Sequence, residues 1–184
     1  APTPIAARDP VEWLVVGPFS NRGIDEVLPP EILLDPAAPM PGKVGEVLWK
    51  KRLPELRAAG SGRAAVFDFK SLFTRNTQMI AYAAIHVKAP LAMDALLHVG
   101  SDQGVKVWAN GTVIHRRESA RGLKMDEDKV PFRLLQGWNL LLFKVTQGNQ
   151  EWGLSARITD DSLRPIDGLE YDPVGDLPQR PLGR

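Results

Sequence analysis

What most constrains this chain is a series of strand-sized apolar runs with a period of two, cut apart by glycine, proline, asparagine or charge. "AAVFDF" (64 to 69), "QMIAYAAIHVKA" (78 to 89), "DALLHV" (94 to 99), "VKVWA" (105 to 109), "TVIHR" (112 to 116), "KVPFRL" (129 to 134), "NLLLFKVTQ" (139 to 147) and "EWGLSARI" (151 to 158) are all of this kind. Alternation puts successive side chains on opposite faces of an extended strand, whereas a helix needs apolar positions three and four apart. Two further strand candidates come first, "EWLVVGPF" (12 to 19) and "GEVLWKKRL" (45 to 53). "LPELRAAGSG" is long enough only for a turn of helix, and no stretch makes a long, capped amphipathic one. An all-β domain, a sandwich or barrel with its core between about residues 62 and 159, is expected.

Proline marks where the core ends. The 16 prolines stand mostly outside the apolar runs: Pro2, Pro4 and Pro10 at the start, Pro29, Pro30, Pro36, Pro39 and Pro41 in the next loop, and Pro165, Pro173, Pro178 and Pro181 at the end. Proline removes a ladder donor, so these are loops and arms. With 184 residues and 43% hydrophobic content the chain can bury one core,. The expected division is an N-terminal arm (1–11), a β-sandwich domain (12–160) and a proline-rich C-terminal arm (161–184).

Composition removes several classes of function. Net charge is +1, from 23 basic and 22 acidic side chains, so the basic field that drives nucleic-acid binding is lacking. No apolar run approaches the roughly 18 to 20 residues that span a bilayer as a helix. Without cysteine there are no disulfides, thiolate nucleophiles or thiolate-bound zinc,. The small-residue start "APTPIAARDP" suits a mature exported chain or a trimmed one equally well.

The alternation assigns faces. Val105, Val107 and Ala109 share one side of their strand while Lys106 and Trp108 share the other, which makes Trp108 half a core residue beside an ammonium group. Trp152, Leu154, Ala156 and Ile158 form one apolar face; Ser155 and Arg157 point away. In 139–147, Leu141, Phe143 and Val145 form one face, and Leu140 and Leu142 begin a second that turns polar at Lys144 and Thr146, as suits a central strand. Asn110-Gly111 between two strands calls for a type I′ turn.

Catalytic motifs are absent: no Gly-x-Ser-x-Gly elbow, no His-Glu-x-x-His, no phosphate loop,. His86, His98 and His115 each sit in a strand and read as histidines satisfied by local hydrogen bonds. No spacing among Asp68, Asp94 and Asp102 singles out a carboxylate pair, so the chain reads as non-enzymatic. The connection over 116–132 carries Arg116, Arg117, Arg121, Lys124 and Lys129 against Glu118, Asp126, Glu127 and Asp128. A loop that long is either ligand-lining or a solvated run of cancelling charges. A structural calcium is conceivable at Asp126, Glu127 and Asp128, although three consecutive acids lack the alternating spacing of a dedicated loop.

"LLHVGSDQGVKVWANGTVIHRR", continued by "DEDKVPFRLLQGWNLLLFKVTQGNQEWGLSARI", resembles jelly-roll modules of the galactose-binding-like kind attached to bacterial glycoside hydrolases and other exported proteins. The shared pattern is a strand ending in Gly-Ser-Asp, an x-Val-x-Val-Trp-x-Asn-Gly hairpin and a Gly-Trp-Asn-x-Leu-Leu strand. The Trp-Leu-Val-x-Gly-Pro-Phe opening (13 to 19) recurs in such proteins too. The same hairpin is similar to PA14 lectin-like modules, in which paired acids hold calcium and sugar, but Gln103 stands where the second acid would fall.

The resemblance implies a jelly-roll β-sandwich and a non-catalytic carbohydrate-binding role in an exported bacterial protein, extracellular or periplasmic. Its partner would be a polysaccharide or oligosaccharide. The alternative is a structural or interaction domain that meets a neighbouring protein domain and has no sugar site. A saccharide needs an aromatic platform and polar side chains for its hydroxyls; the candidates are Asp102, Gln103, Lys106, Trp108, Arg116 and Arg117. Each has a structural reading: Trp108 packs beneath the following loop, and Asp102 bonds backbone amides in its bend. No cofactor is implied beyond that calcium.

Overall fold

The apolar runs all form strands, and the breaks between them fall where glycine, proline or charge stops the ladder. The structure, a computed structural model, describes residues 11–73 and 77–175. Of the two expected arms, residues 1–10 and 176–184 lie outside the described residues. In chain order the elements are β1 (Trp13–Ser20), α1 (Pro29–Ile32), β2 (Met40–Gly42), β3 (Gly45–Val47), β4 (Lys50–Arg52), β5 (Glu55–Ala59), β6 (Gly62–Asp68), α2 (Phe69–Leu72) and β7 (Met79–Ala89). They continue as β8 (Met93–Ser101), β9 (Val105–Ala109), β10 (Thr112–Arg117), β11 (Asp128–Leu134), β12 (Gly137–Gln147), β13 (Gly153–Thr159) and β14 (Glu170–Asp172).

Two antiparallel sheets face each other. One has the order β10-β9-β12-β7-β1-β4, with β14 also pairing β7; the other runs β11-β8-β13-β6-β5. From β7 to β13 the chain crosses back and forth between them, as a jelly roll does. Inward-pointing Val15, Ala83, Val107 and Phe143 of the first sheet meet Phe67, Leu97 and Leu154 of the second, each buried Val, Leu or Phe worth about 1.5–3 kcal/mol. Trp152 belongs to this core and donates its Nε1–H to the Val145 carbonyl at 3.1 Å. Asn110 (φ 50°) and Gly111 (φ 83°) both adopt positive φ between β9 and β10, which the type I′ turn requires.

A second core corrects the expectation that burial is confined to about 62–159. On the far side of the seven-stranded sheet, Leu34, Met40 and Trp49 pack onto Leu14, Val16, Tyr82, Trp108 and Leu142. The excursion between β1 and β4 is therefore a third layer, and β7 and β12 are buried on both faces. That explains their near-continuous apolar sequences, since a strand covered on both sides has no solvent face to keep polar.

Three local expectations change. "LPELRAAGSG" is no helical turn: β5 pairs β6 across Gly60, whose φ is +53°. Leu169, within the expected C-terminal arm, is buried, and β14 pairs β7 beyond the end of β1. The long polar connection is shorter than read, running from 118 to 127 between β10 and β11. Among the described residues no helix is long and apolar enough to cross a membrane.

Candidate functional site

Five of the six residues picked out in the hairpin, all but Gln103, have side chains engaged in holding the fold. Trp108 corrects the platform reading most directly. It points away from Val105 and Val107, as alternation requires, but only 1% of it is exposed, because the third layer covers that face. Lys106 keeps its Nζ 5.3 Å from the Trp108 ring centre and 3.1 Å from Asp25 Oδ1. Arg116 grips the same carboxylate with Nε at 2.9 Å and Nη2 at 2.6 Å. Hydrogen bonds from Arg116 and then Lys106 hold the Asp25 carboxyl well below the usual carboxylate range. These two cations thus pin the third layer to the hairpin.

Asp102, Arg117 and their neighbours hold the 118–127 loop. The Asp102 carboxylate accepts the Leu123 amide at 2.8 Å and also bonds the Gly153 amide. Burial pushes this carboxyl up, against those amide bonds. Arg117 donates to Asp128 Oδ1 at 2.8 Å, Arg121 reaches both Asp128 oxygens at 2.9 and 2.6 Å, and His115 Nε2 lies 3.0 Å from Oδ2. Burial raises the Asp128 carboxyl, but the bonds from Arg121 and His115 outweigh it and leave the group at about 2. Gln103 is half-buried, its backbone carbonyl taken by the Ser101 hydroxyl at 2.7 Å.

The acids considered for calcium are claimed by arginines. Asp126 bonds Arg157, Glu127 lies 3.5 Å from Arg121, and Asp128 is held as above. Among the described residues no group of three or more His, Asp or Glu side chains is placed to hold a metal.

Held in this way, the loop lies on the outer face of the five-stranded sheet. A Cβ on Gly100 would stand 2.1 Å from the Lys124 carbonyl oxygen, so only glycine lets the loop come down there. The Gly-Ser-Asp stretch is therefore a seat for the loop: glycine for close approach, Ser101 and Asp102 for its hydrogen bonds.

Beside that seat the sheet and loop line an open pocket of about 530 Å³. His98 of β8, Lys129 of β11 and Arg157 of β13 come from alternating outward positions, joined by Lys124 and Asp126 of the loop. Arg164 contributes from the next turn. That turn is fixed by Asp160 Oδ1, which accepts the amides of Ser162 and Arg164 at 2.9 Å each. Ser61 ties it to the β5–β6 turn by donating to the Leu163 carbonyl at 3.0 Å.

The pocket floor is a trio of ionisable side chains, His98, Asp126 and Arg157. Arg157 clasps Asp126 through Nε (2.9 Å) and Nη2 (2.6 Å), and hydrogen bonding from Arg157 lowers the Asp126 carboxyl. The Thr159 hydroxyl donates to the Asp160 carbonyl at 2.9 Å, so it must accept from His98 Nε2, 2.7 Å away. His98 is then the Nε2–H tautomer. Its Nδ1 lies 3.8 Å from Asp126 Oδ1 and has no hydrogen-bond partner among the described residues. Burial pushes the imidazole pKa down.

None of the six hairpin residues lines this pocket. Two signals for it are in the sequence: Arg157 points away from an apolar face, and 116–132 is long and charge-dense. Nothing sequential joins Gly60, His98, Lys124 and Arg164, which only the stacking of loops on β8 and β13 assembles.

No family model and no curated protein matches the chain. Among solved structures it is similar to an anti-sigma factor domain-containing protein, at 11% identity and a TM-score of 0.50. That match covers 89% of this chain and 47% of that one, so the chain spans about half that protein's length. A β-glucosidase from Kluyveromyces marxianus in complex with glucose aligns at 13% identity and a TM-score of 0.44, over 84% of this chain and 16% of that one. The PA14 domain of the antifreeze protein MpAFP aligns at 9% identity and a TM-score of 0.49, over 94% and 96%. At 11% identity the likeness to the first of these is one of fold alone, and the antiparallel sheets make the chain an all-β sandwich.

Proposed function

We propose that this chain is a non-catalytic binding module that takes a saccharide in the pocket on the outer face of its five-stranded sheet. The observation that carries this is the lining: a rigid floor of His98, Asp126 and Arg157 under three long donors, Lys124, Lys129 and Arg164. A concave site with fixed acceptors and several N–H donors suits a ligand whose surface is mostly hydroxyl. The loop that walls it is anchored at Asp102 and Asp128, so little ordering is left to pay for on binding. Arg157 keeps Asp126 ionised and engaged, which supports a holding role over proton transfer for that carboxylate. An extracellular or periplasmic setting in an exported protein belongs to the same proposal.

Affinity electrophoresis through gels containing different polysaccharides tests it. At least one polymer should retard the wild type, and Lys129→Ala combined with Arg164→Ala should restore free migration while leaving thermal unfolding unchanged. If no polysaccharide retards the protein, the saccharide reading is lost.

One observation favours a second reading, a structural or protein-interaction domain. Val27, Ile32, Val44 and Leu48 of the third layer, and Leu53 just after β4, are between 41% and 69% exposed, and exposed apolar side chains of this number suit an adjoining domain. Replacing Ile32, Val44 and Leu53 by serine would abolish such docking and leave saccharide retardation intact.

A further inference from the structure

We infer that the outer-face pocket selects an anionic saccharide, one bearing a carboxylate or a sulfate ester, over a neutral one; this rests on the saccharide reading above. The pocket wall carries Lys124, Lys129, Arg157 and Arg164 against a single carboxylate, Asp126. That concentration is local, because the whole chain has a net charge of only +1. Asp126 is already neutralised by its bidentate clasp on Arg157, and His98 is held neutral by burial. Lys124, Lys129 and Arg164 are exposed and, among the described residues, none forms an ion pair with an acid side chain; Lys129 acts on Asp126 only at longer range, so most of this charge is left to the pocket mouth.

Arg157 adds a second, independent mark. Its side chain is 6% exposed, yet Nη1 has no acceptor among the described residues. A buried guanidinium normally uses its N–H groups, and a leftover donor beside the pocket is one that a ligand oxyanion would satisfy on reaching it. The guanidinium packs directly on the β5–β6 turn: a Cβ on Gly60 would stand 2.9 Å from Nη2 and 3.5 Å from Nη1, and one on Gly62 would stand 3.8 Å from Nη1. Two glycines in succession around Ser61 keep side chains off the guanidinium. Fork-shaped donors flanked by ammonium groups match the oxygens of a carboxylate or sulfate, and charge-assisted bonds to them are roughly twice as strong as neutral ones.

The test compares gel retardation and calorimetric titration at physiological salt for polygalacturonate, dextran sulfate, neutral dextran and poly-glutamate. Retardation by polygalacturonate or dextran sulfate but not by dextran is expected, and the stronger of the two identifies the anionic group. Changing Lys124, Lys129 and Arg164 together to alanine should weaken that binding about tenfold or more; changing the exposed Lys50 and Lys51 to alanine should not. Should the triple variant fail to fold, Lys129→Glu alone carries the same expectation. Equal binding of dextran and the anionic polymers overturns the selectivity and leaves the saccharide reading standing. Binding of no polysaccharide removes both. Poly-glutamate binding as strong as polygalacturonate, weakened equally by the Lys50 and Lys51 changes, shows unspecific attraction to polyanions and also overturns the inference.

Discussion

Lys144 Nζ of β12 lies 3.0 Å from Glu31 Oε2 of α1, with the two side chains 0% and 2% exposed. The same carboxylate oxygen accepts the Tyr82 hydroxyl and the Leu28 amide, and Lys144 also donates to the Glu26 carbonyl at 2.6 Å. Burial holds the ammonium below the ordinary lysine range while Glu31 draws it back up. The pair is the polar tether of an otherwise apolar second core, and it joins the third layer to the centre of the sheet.

Removing one member strands the other's charge out of water. Lys144→Ala should lower unfolding free energy in urea by about 3–5 kcal/mol. The double change Lys144→Met with Glu31→Gln should recover much of it, since a neutral amide keeps a partner for the Tyr82 hydroxyl. A single-variant loss under about 1 kcal/mol would show that the tether is not a tether.

Trp108 separates packing from binding. Trp108→Ala removes a fully enclosed indole from the same core and should cost about 3–5 kcal/mol. Saccharide titration of the folded protein should keep the wild-type affinity. A variant that folds normally and loses its ligand would return Trp108 to the binding site.

The loop anchor makes a mechanical prediction. Arg121 and Asp128 have side chains 9% and 6% exposed, and Arg121 also donates to the Ser101 carbonyl at 3.1 Å. Arg121→Ala should cost about 1.5–3 kcal/mol, because Arg117 and His115 still serve Asp128. Arg121→Lys should not restore it, since a point charge cannot span both carboxylate oxygens. Limited proteolysis read by mass spectrometry should then cut within 118–127 sooner than in the wild type.

His98 and Asp128 contribute to the acid response in separate windows, the second shared with Asp25 and Asp126. The His98 imidazole is pushed below its usual value by burial, so the unfolded chain binds the proton more readily,. Its contribution is complete above about pH 6.5 and is lost as pH falls through that value toward the folded-state pKa. Asp128, held at about 2, contributes above 3.8 and loses that contribution as pH falls through about 2. Urea unfolding at pH 7.5, 5.5 and 3 should show both declines, and His98→Gln should flatten the first alone. An unchanged slope in that variant would assign the first decline elsewhere.

Strand positions were legible because alternation and punctuation are local. The turn at Asn110-Gly111, the inward Trp152 and the central place of β12 all follow from residues within a few positions of one another. Lys144 shows where locality stops: it reads as the polar end of a strand face, whereas the structure buries it. Its partner Glu31 sits 113 positions away, in a proline-rich stretch that reads as loop.

The candidate site divides the same way. Asp102, Lys106, Trp108, Arg116 and Arg117 were visible because polar and aromatic residues in a glycine-bounded hairpin draw attention. Each turned out to serve a contact with a distant segment.

By itself the sequence determined that this chain is all-β, which side chains share a face, and that a charged loop follows the hairpin. Tertiary structure alone decided which faces are covered. Alternation says that Lys106 and Trp108 look the same way, but not that residues 21–49 lie over them. It says that Arg157 points outward, but not that His98 lies beside it or that loops from three parts of the chain wall them into a pocket. The physical reason is that pleating is set within one strand, whereas burial depends on what else comes to rest against it.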